Sequence, residues 1–334
     1  MRAVTAELRE IVEAVEFRPA GSIAVSGETV ELRAGDDGPG DPSSPLANVL
    51  YQRLYCRPQQ ERSGLGADNR AQRVFVENLS RANGGSGSWE PGWVVEALED
   101  DGTLVVHRQR DGLTLWAQPE QFRPALGPVG VGSAGRLHVG KELREMLPGY
   151  YTILGEADQV DEDAGAPVAI VRFYWHLTAA GAALWIAELT QRFNSAGLAF
   201  QAKVHSNPGA YVRADAGVLY VAYRDLARTM ALLVDLHGAV SSQLRPATPM
   251  FTKPLARGLA VAEDPGDGRS FGQHRCRLVA EGLMRALESG RTGFDDAATA
   301  VAGRFAEARV SVVQPWLNPG SQDCYAWPPA GSRR

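Results

Sequence analysis

The fold is decided by residues 168–223, which read VAIVRFYWHLTAAGAALWIAELTQRFNSAGLAFQAKVHSNPGAYVRADAGVLYVAY. Short apolar runs predict strands, and a longer run with helical spacing predicts a helix. The predicted elements are a strand over Val168–Tyr174, a helix over Ala179–Asn194, and strands over Phe200–His205 and Val218–Tyr223. Further helices are predicted over Leu226–Ala239, Ser270–Leu287 and Asp295–Ala308. This part of the chain therefore predicts an α+β fold with helices flanking a mixed or antiparallel sheet.

The segment before residue 166 has shorter and more varied patterns. Helical spacing predicts helices over Thr5–Val15, Leu46–Tyr55, Ala71–Arg81 and Lys141–Met146. Alternating runs predict strands over Ser22–Val25 and Thr29–Arg33, and an antiparallel meander over Trp93–Leu98, Thr103–Arg108 and Leu113–Trp116. Asp-Gly turns mark the meander, and loops are predicted over Ala34–Ser44, Asn83–Ser88 and Gly127–Gly135. We predict two domains: a smaller helix and β-meander region over residues 1–165 that binds peptide or a partner, and a catalytic α+β domain over residues 166–330.

The composition is that of an ordinary globular protein, with 44% hydrophobic and 22% charged residues in 334 positions. Cys56, Cys276 and Cys324 are far apart and match no zinc-ligand spacing, so we expect reduced thiols and no metal. The first residues lack the apolar core of a signal peptide, and no run reaches the ~18 apolar residues of a membrane span. We expect a cytoplasmic protein that does not contact membranes.

The charge distribution is uneven. Residues 203–277 contain ten Lys or Arg and six Asp or Glu, a local balance of +4, so the rest of a chain with net charge −5 carries −9. A basic segment within an acidic protein does not favour nucleic-acid binding, which needs a broad basic surface. It is compatible with a compact anion such as one phosphate group, and equally with solvated charges and surface ion pairs.

Two familiar motifs fail in their context. Residues 130–135 (GVGSAG) match a dinucleotide-binding loop in letters, but Pro124 and Pro128 precede them and no helix opens within them. An NAD-dependent oxidoreductase would require that loop to lie between a strand and a helix. Residues 223–226 (YRDL) resemble a kinase catalytic loop only faintly, because Met230 stands where a metal-binding Asn is needed.

Four groups of residues instead favour phosphate chemistry. Lys203 and His205 are two positions apart on a predicted strand and therefore share one face. Ser270 precedes a predicted helix, whose N-terminus attracts anions, although Ser270 is equally well explained as a helix cap. The groups comprise residues 172–176 (RFYWH), residues 203–205 (KVH), residues 211–224 with Tyr211, Arg213, Asp215, Tyr220, Tyr223 and Arg224, and residues 251–275 with Lys253, Ser270, His274 and Arg275.

Several stretches resemble a known family. Residues 46–57 (LANVLYQRLYCR), 172–177 (RFYWHL), 200–221 (FQAKVHSNPGAYVRADAGVLYV) and 250–275 (MFTKPLARGLAVAEDPGDGRSFGQHR) resemble the HopA-type family of type III secretion effectors. That family includes the HopA-like lyase proteins of class V lanthipeptide and thioamitide clusters. The resemblance covers most of the chain and is weakest over residues 99–165.

The resemblance implies a function. An aminoglycoside-phosphotransferase-like kinase would phosphorylate Ser or Thr of a precursor peptide, and this protein would remove the phosphate as a lyase, giving dehydroalanine or dehydrobutyrine in lanthipeptide biosynthesis. It also implies an analogy with phosphothreonine lyase effectors, which use a lysine base, a histidine acid and arginine clamps. No metal or organic cofactor is needed for this reaction.

The chemistry assigns roles to the candidate residues. A base that removes an α-proton must be neutral, and burial near other cations lowers a lysine pKa in that direction. We predict Lys203 as the base and His176 as the acid, with His205 a close second and Tyr223 orienting the phosphate. The predicted phosphate ligands are Arg213, Lys253, Arg275, Ser270, His274 and Arg224.

The main alternative is a noncatalytic effector or adaptor that binds a kinase, a phosphopeptide or a host protein. Convergence of the candidate residues distinguishes the two, because scattered positions favour the adaptor. The lyase hypothesis predicts that Lys203, His176, Arg213 and Arg275 line one pocket, and that residues before Gly165 contribute no essential chemical group.

Overall fold

In a computed structural model of the protein, the described residues are 5–18, 22–30, 32, 43–58, 69–109, 112–144, 147–157 and 168–328. The α-helices within these ranges are α1 (Ala6–Glu13), α2 (Ser43–Leu50), α3 (Asn69–Ala82), α4 (Ala182–Ser195), α5 (Leu226–Val240), α6 (Phe271–Glu288) and α7 (Phe294–Glu307). The predicted helix over Leu46–Tyr55 is α2 continued by a π-helix, Tyr51–Tyr55. Most of the predicted loop over Ala34–Ser44 lies outside the described residues.

Two small antiparallel sheets precede the main one. The first contains β1 (Val15–Arg18), β2 (Ser22–Val25) and β3 (Glu28–Val30), and the second contains β4 (Ser88–Leu98), β5 (Leu104–Arg108), β6 (Thr114–Ala117), β7 (Phe122–Pro124) and β8 (Ala134–Val139). The strand order in the second is β6-β5-β4-β8-β7, which confirms the predicted meander and adds two strands to it. The motif over residues 130–135 leads into β8 within this sheet and opens no helix, so it is not a dinucleotide-binding loop.

The central sheet has seven strands. They are β9 (Glu142–Leu143), β10 (Tyr150–Leu154), β11 (Ile170–Trp175), β12 (Gln201–His205), β13 (Gly217–Ala222), β14 (Lys253–Ala256) and β15 (Leu259–Glu263). The order is β14-β15-β11-β13-β12-β10-β9, and every neighbouring pair is antiparallel. The predicted α+β fold with an antiparallel sheet and flanking helices is confirmed.

One predicted helix is wrong. The segment Lys141–Met146 was expected to be helical, but Glu142 and Leu143 form β9 and pair with Ile153 and Thr152 of β10. A helix of six residues is marginal in isolation, because few hydrogen bonds offset its costly nucleation. Pairing with the free edge of β10 satisfies the same backbone groups.

Side-chain alternation gives the central sheet two different faces. Phe173, Trp175 and Leu219 point to one face and pack with α4 and α5. There the rings of Trp175 and Trp185 lie 5.8 Å apart, and both side chains are fully buried. Burial of each such large apolar side chain contributes roughly 1.5–3 kcal/mol, so this face is held mainly by apolar packing.

The opposite face of the sheet is covered by α1, α2, α6 and α7. Tyr174 and Val218 point to this face and share an apolar cluster with Phe271 of α6. Between these apolar contacts the face also carries polar side chains, which form the site described below.

The division into residues 1–165 and 166–330 stays a prediction. The central sheet contains β9 and β10 from before residue 165 and five strands from after it. Among the helices within the described ranges, none is long and apolar enough to cross a membrane. In the same part of the chain, no group of three or more His, Cys, Asp or Glu side chains is arranged to hold a metal ion.

Candidate active site

A cleft of about 280 Å³ lies between the central sheet, the π-helix and the N-terminus of α6. We call it the tyrosine cleft, because five tyrosines line it: Tyr51, Tyr55, Tyr150, Tyr174 and Tyr220. Its charged lining residues are Arg172, Lys203 and Asp215. The cleft therefore combines hydroxyl groups, aromatic surface and both signs of charge.

Strand register brings the sheet residues of the cleft together. Lys203 of β12 lies opposite Val218 of β13, and Tyr220 of β13 lies opposite Arg172 of β11. Residues two apart on a strand point to the same face, so Tyr174 also faces the cleft. Three adjacent strands thus present their polar side chains to one point.

Lys203 is the cation of the cleft without a carboxylate partner. Its Nζ lies 4.4 Å from the centroid of the Tyr150 ring and 5.9 Å from that of Tyr220. Within the described residues it makes no hydrogen bond or ion pair. Burial lowers the pKa of Lys203, and the charges of Arg172 and Arg213 act in the same direction, against Tyr150 and Asp215, which raise it. The neutral amine is therefore favoured relative to a lysine in water.

Asp215 joins Arg213 and Tyr51 in a buried network. Arg213 donates from Nε to Oδ1 of Asp215 at 2.9 Å and from Nη2 to Oδ2 at 2.8 Å. The Tyr51 hydroxyl donates to Oδ2 of Asp215 at 3.0 Å and accepts from Nη2 of Arg213 at 3.1 Å. Burial acts to raise the pKa of Asp215, but the hydrogen bonds and charge of Arg213 lower it overall, so the carboxylate is ionised.

Arg172 is the second paired guanidinium of the cleft. Its Nε donates to Oδ2 of Asp264 at 2.6 Å, and its Nη2 donates to the carbonyl of Arg269 at 3.1 Å. Its Cζ lies 5.4 Å from the centroid of the Tyr220 ring. Asp264 and Asp215 balance Arg172 and Arg213, so a protonated Lys203 leaves one positive charge among these five groups.

The N-terminus of α6 forms one wall of the cleft. Ser270 caps it in a capping box, accepting from the backbone N–H of Gln273 at 3.2 Å while its own N–H donates to Oε1 of Gln273 at 3.1 Å. Gly272 follows in the first turn, where a Cβ would lie 2.4 Å from a Tyr55 ring carbon and 2.6 Å from one of Tyr51. Glycine thus lets the two stacked tyrosines of the π-helix approach the helix end, whose partial positive charge favours anions.

His205 lies beside the cleft. Its ring stacks on Tyr150 with centroids 4.6 Å apart and meets the edge of Tyr211 at 6.2 Å. Its Nε2 is buried and has no hydrogen-bond partner among the described residues. Burial lowers the pKa of His205 to about 4, with a further lowering by the charges of Arg213 and Lys203, so the free imidazole is neutral at pH 7.

The structure therefore brings Lys203, His205, Arg213 and Ser270 together. His176 does not line the cleft: it is fully buried, and its Nδ1 lies 2.9 Å from the carbonyl of Ala247. Burial lowers the pKa of His176, so it is a neutral histidine bonded to a loop backbone.

Arg275 does not line the cleft either, although the sequence predicts it as a phosphate ligand. It is 1% exposed, and it donates from Nε to the carbonyl of Pro315 at 2.7 Å and from Nη2 to that of Leu317 at 3.1 Å. His274 approaches its Nη1 at 2.7 Å. The expectation that His176, Arg275, Lys203 and Arg213 line one pocket is wrong. His176 follows the last residue of β11 and contacts the carbonyl of Ala247, and Arg275 points to the carbonyls of Pro315 and Leu317.

The remaining candidates, Lys253, Tyr223 and Arg224, either contact the C-terminal segment or lie on the surface. Lys253 donates to both carboxylate oxygens of Asp323 at 2.7 Å. Tyr223 is 42% exposed, with its hydroxyl 3.4 Å from Sγ of Cys324. Arg224 lies 3.7 Å from a carboxylate oxygen of Asp225, the next residue. None of the three lines the tyrosine cleft.

Sequence reasoning did not select Tyr51 or Tyr150, and it placed Arg172, Asp215 and Tyr220 within groups that favour phosphate chemistry without giving them a role. A signal for two of them was available: Arg172 and Tyr220 are polar or amphipathic positions on strands whose alternate positions are apolar. Nothing in the local sequence of the π-helix or of β10 indicates that they reach the same cleft.

The sequence and the fold of this chain are similar to those of known proteins. The model of the HopA1 effector protein family matches residues 144–317, more than half of the chain, and the chain belongs to this family. Two solved structures are similar at 16% sequence identity: the effector protein from Pseudomonas syringae pv. syringae strain 61 (81% of this chain, 88% of that chain, TM-score 0.44) and the effector protein from Pseudomonas syringae pv. tomato strain DC3000 (85%, 92%, TM-score 0.42). No curated protein matches the chain.

Proposed function

We propose that this protein is a phosphoserine or phosphothreonine lyase that eliminates phosphate from a kinase-phosphorylated precursor peptide, as in lanthipeptide biosynthesis. The observation that carries the proposal is the setting of Lys203. Its Nζ lies against two tyrosine rings beside paired arginines, without a hydrogen bond to a described carboxylate. A lysine held toward its neutral form is the base that this reaction requires.

The elimination needs two proton positions and a place for phosphate. Lys203 takes the α-proton of the phosphorylated residue, and the electrons of that C–H bond become the Cα–Cβ double bond. The Cβ–O bond breaks, and phosphate leaves with its electron pair. The products are dehydroalanine from Ser or dehydrobutyrine from Thr, inorganic phosphate and a protonated lysine, so the reaction balances without an oxidant or a cofactor.

We assign the acid to His205, because it follows Lys203 by two positions on β12 and stacks on Tyr150, which also contacts Lys203. The free imidazole is neutral, but a phosphate monoester dianion in the cleft favours its protonated form. His205 can then protonate the leaving phosphate oxygen.

Binding of the phosphate is supported by three groups. Arg213 and Arg172 supply guanidinium N–H donors, and the capped N-terminus of α6 supplies backbone N–H groups and a favourable dipole. The tyrosine hydroxyls can complete the hydrogen bonds of the anion. The partners in this proposal are the precursor peptide and an aminoglycoside-phosphotransferase-like kinase, which the family resemblance implies.

The test uses synthetic peptides phosphorylated at Ser or Thr, with randomised flanking residues and no kinase or nucleotide present. Mass spectrometry is expected to show loss of phosphoric acid, and thiol addition is expected to trap the new double bond. An adaptor would enrich phosphopeptides without changing their mass. Enrichment without elimination across the whole pool, with every peptide recovered intact, would refute the lyase proposal.

A further inference from the structure

The residue that links the two halves of the tyrosine cleft is Asp215. It is 5% exposed, and Arg213 and Tyr51 both hydrogen-bond to it, at 2.8–3.0 Å. Arg213 follows the 3₁₀ helix over Pro208–Val212, whereas Tyr51 opens the π-helix, 164 positions before Asp215 in the chain. One carboxylate thus fixes Tyr51, which lines the cleft, and Arg213, which lies beside it, from distant parts of the chain.

The geometry gives each oxygen of Asp215 a different task. Oδ1 accepts from Nε of Arg213, while Oδ2 accepts from Nη2 of Arg213, from the hydroxyl of Tyr51 and, at 3.9 Å, from the thiol of Cys56. These bonds occupy one edge of the guanidinium and leave Nη1 for another acceptor. They also commit the proton of Tyr51, so that its oxygen accepts from Arg213. The two side chains are locked as one unit.

We propose that Asp215 is the positioning residue of the cleft, holding Arg213 and Tyr51 in a single orientation for the phosphate of the substrate. The inference rests on the proposed function for the identity of the ligand. Asp215 itself repels an anion, so it contributes to binding by fixing the orientation of Arg213. The bound phosphate then meets a guanidinium whose rotation is already restricted, which lowers the entropic cost of binding.

Asp215→Asn is the first variant, because the amide keeps the shape but places a donor where Oδ2 accepts hydrogen bonds from Arg213, Tyr51 and Cys56. We expect Arg213 to lose one bond of its fork and Tyr51 to turn. Affinity for inorganic phosphate, measured by calorimetry or by ³¹P NMR, is expected to fall about 10- to 100-fold, the size associated with one misplaced charge-assisted contact. With a phosphopeptide, KM is expected to rise by a similar factor, while kcat changes much less because Lys203 remains.

Two further variants control for a loss of folding. Tyr51→Phe removes only the hydroxyl, and we expect a smaller loss of phosphate affinity, which is not additive with Asp215→Asn because both changes break the same unit. Glu281→Gln removes an acceptor of the Arg304 pair between α6 and α7, away from the cleft, and is expected to leave phosphate affinity and KM unchanged. If Glu281→Gln also weakened phosphate binding, the effect of Asp215→Asn would be attributed to the loss of a charge pair in general and not to the cleft.

A crystal structure of the Asp215→Asn protein, together with the binding and activity measurements, tests the positioning role of Asp215 separately from the lyase proposal. If Arg213 and Tyr51 keep their positions, or if the variant binds phosphate as tightly as the wild type, the positioning role is overturned. If the wild type binds phosphate and the variants behave as expected but no peptide is ever dehydrated, the positioning role stands and the lyase proposal fails.

Discussion

Tyr150 contacts both Lys203 and His205: its ring centroid is 4.4 Å from Nζ of Lys203 and 4.6 Å from the centroid of the imidazole. One aromatic ring therefore packs against both the proposed base and the proposed acid. Since Tyr150 lies on β10 and the other two on β12, the arrangement depends on the antiparallel pairing of these strands, in which Tyr150 lies opposite His205.

We expect Lys203→Ala to abolish elimination, because no other described amine lines the cleft. Lys203→Arg is expected to fail as well, since a guanidinium stays protonated and cannot accept the α-proton. Both variants are expected to retain phosphopeptide binding within a modest factor. The measurement is dehydrated peptide formed from a chemically phosphorylated substrate, alongside binding by calorimetry. Normal turnover by either variant would rule out Lys203 as the base.

The two histidines are expected to respond differently. His205→Asn is expected to slow elimination by roughly 10²–10⁴-fold, the contribution typical of a general acid. His176→Asn is expected to lower thermal stability, because it perturbs a fully buried contact with Ala247, and to change kcat little. Comparing kcat with the melting temperature for both variants checks this. The reverse pattern would place the acid at His176.

Phosphate binding is expected to raise the pKa of His205 from its value of about 4 in the free protein. The cause is that a dianion beside the ring stabilises imidazolium. The charges of the neighbouring Lys203, Arg213 and Asp215 side chains keep the same sign when phosphate binds. Two-dimensional NMR of the imidazole during a pH titration, with and without inorganic phosphate, measures the shift. An unchanged titration at saturating phosphate would contradict a location of His205 next to the anion.

The buried charge of Lys203 is expected to lower the free energy of unfolding of the protein. Its pKa is lower in the folded than in the unfolded chain, so between these two pKa values the unfolded chain binds more protons and stability rises as the pH increases through that window. Below the folded-state pKa the cost of burying the charged amine is fully present. Lys203→Met, which keeps the apolar length, is expected to unfold at higher denaturant at pH 7 than the wild type. It is also expected to lose this pH dependence. Equal midpoints for the two proteins across the pH range would refute the destabilising role.

Gly272→Ala is expected to disrupt the tyrosine cleft. The new methyl group would lie 2.4–2.6 Å from ring carbons of Tyr55 and Tyr51, and such overpacking costs about 1–3 kcal/mol, more than the gain in helix propensity. Gly238→Ala on α5 is the matched control, because a Cβ at this position meets no atom within 4 Å. This substitution is expected to stabilise the helix by up to about 1 kcal/mol. Denaturant melts of both proteins measure the contrast.

Much of the fold could be predicted because its elements are local. Helical spacing located α4, α5, α6 and α7 to within a few residues, and the Asp-Gly turns located the meander. The strands β10, β14 and β15 were not predicted: they are short, and they exist because neighbours in the sheet pair with them. Strand formation that depends on pairing partners leaves a weak local signal.

The site was predictable only in part, for a related reason. Lys203 and His205 share one strand face, which the spacing of two residues reveals. Arg275 is a different case: a basic residue in the first turns of a helix suggests an anion site, yet its direction around α6 points it at the carbonyls of the C-terminal segment. Which way a helical side chain points relative to the rest of the molecule requires the packing to be known.

The hydrogen bond between Tyr51 and Asp215 closes a loop of 164 positions, and the helix that walls the cleft begins only at Phe271. A chain still emerging from the ribosome therefore has no cleft, and its Lys203 is an ordinary solvated amine. The environment that lowers the pKa of Lys203 is complete only when sequence from the N-terminal and the C-terminal parts of the protein has assembled. Chemical labelling of Lys203 would accordingly report the completion of folding, and a chain truncated before α6 is expected to label at Lys203 at the rate of an ordinary exposed lysine.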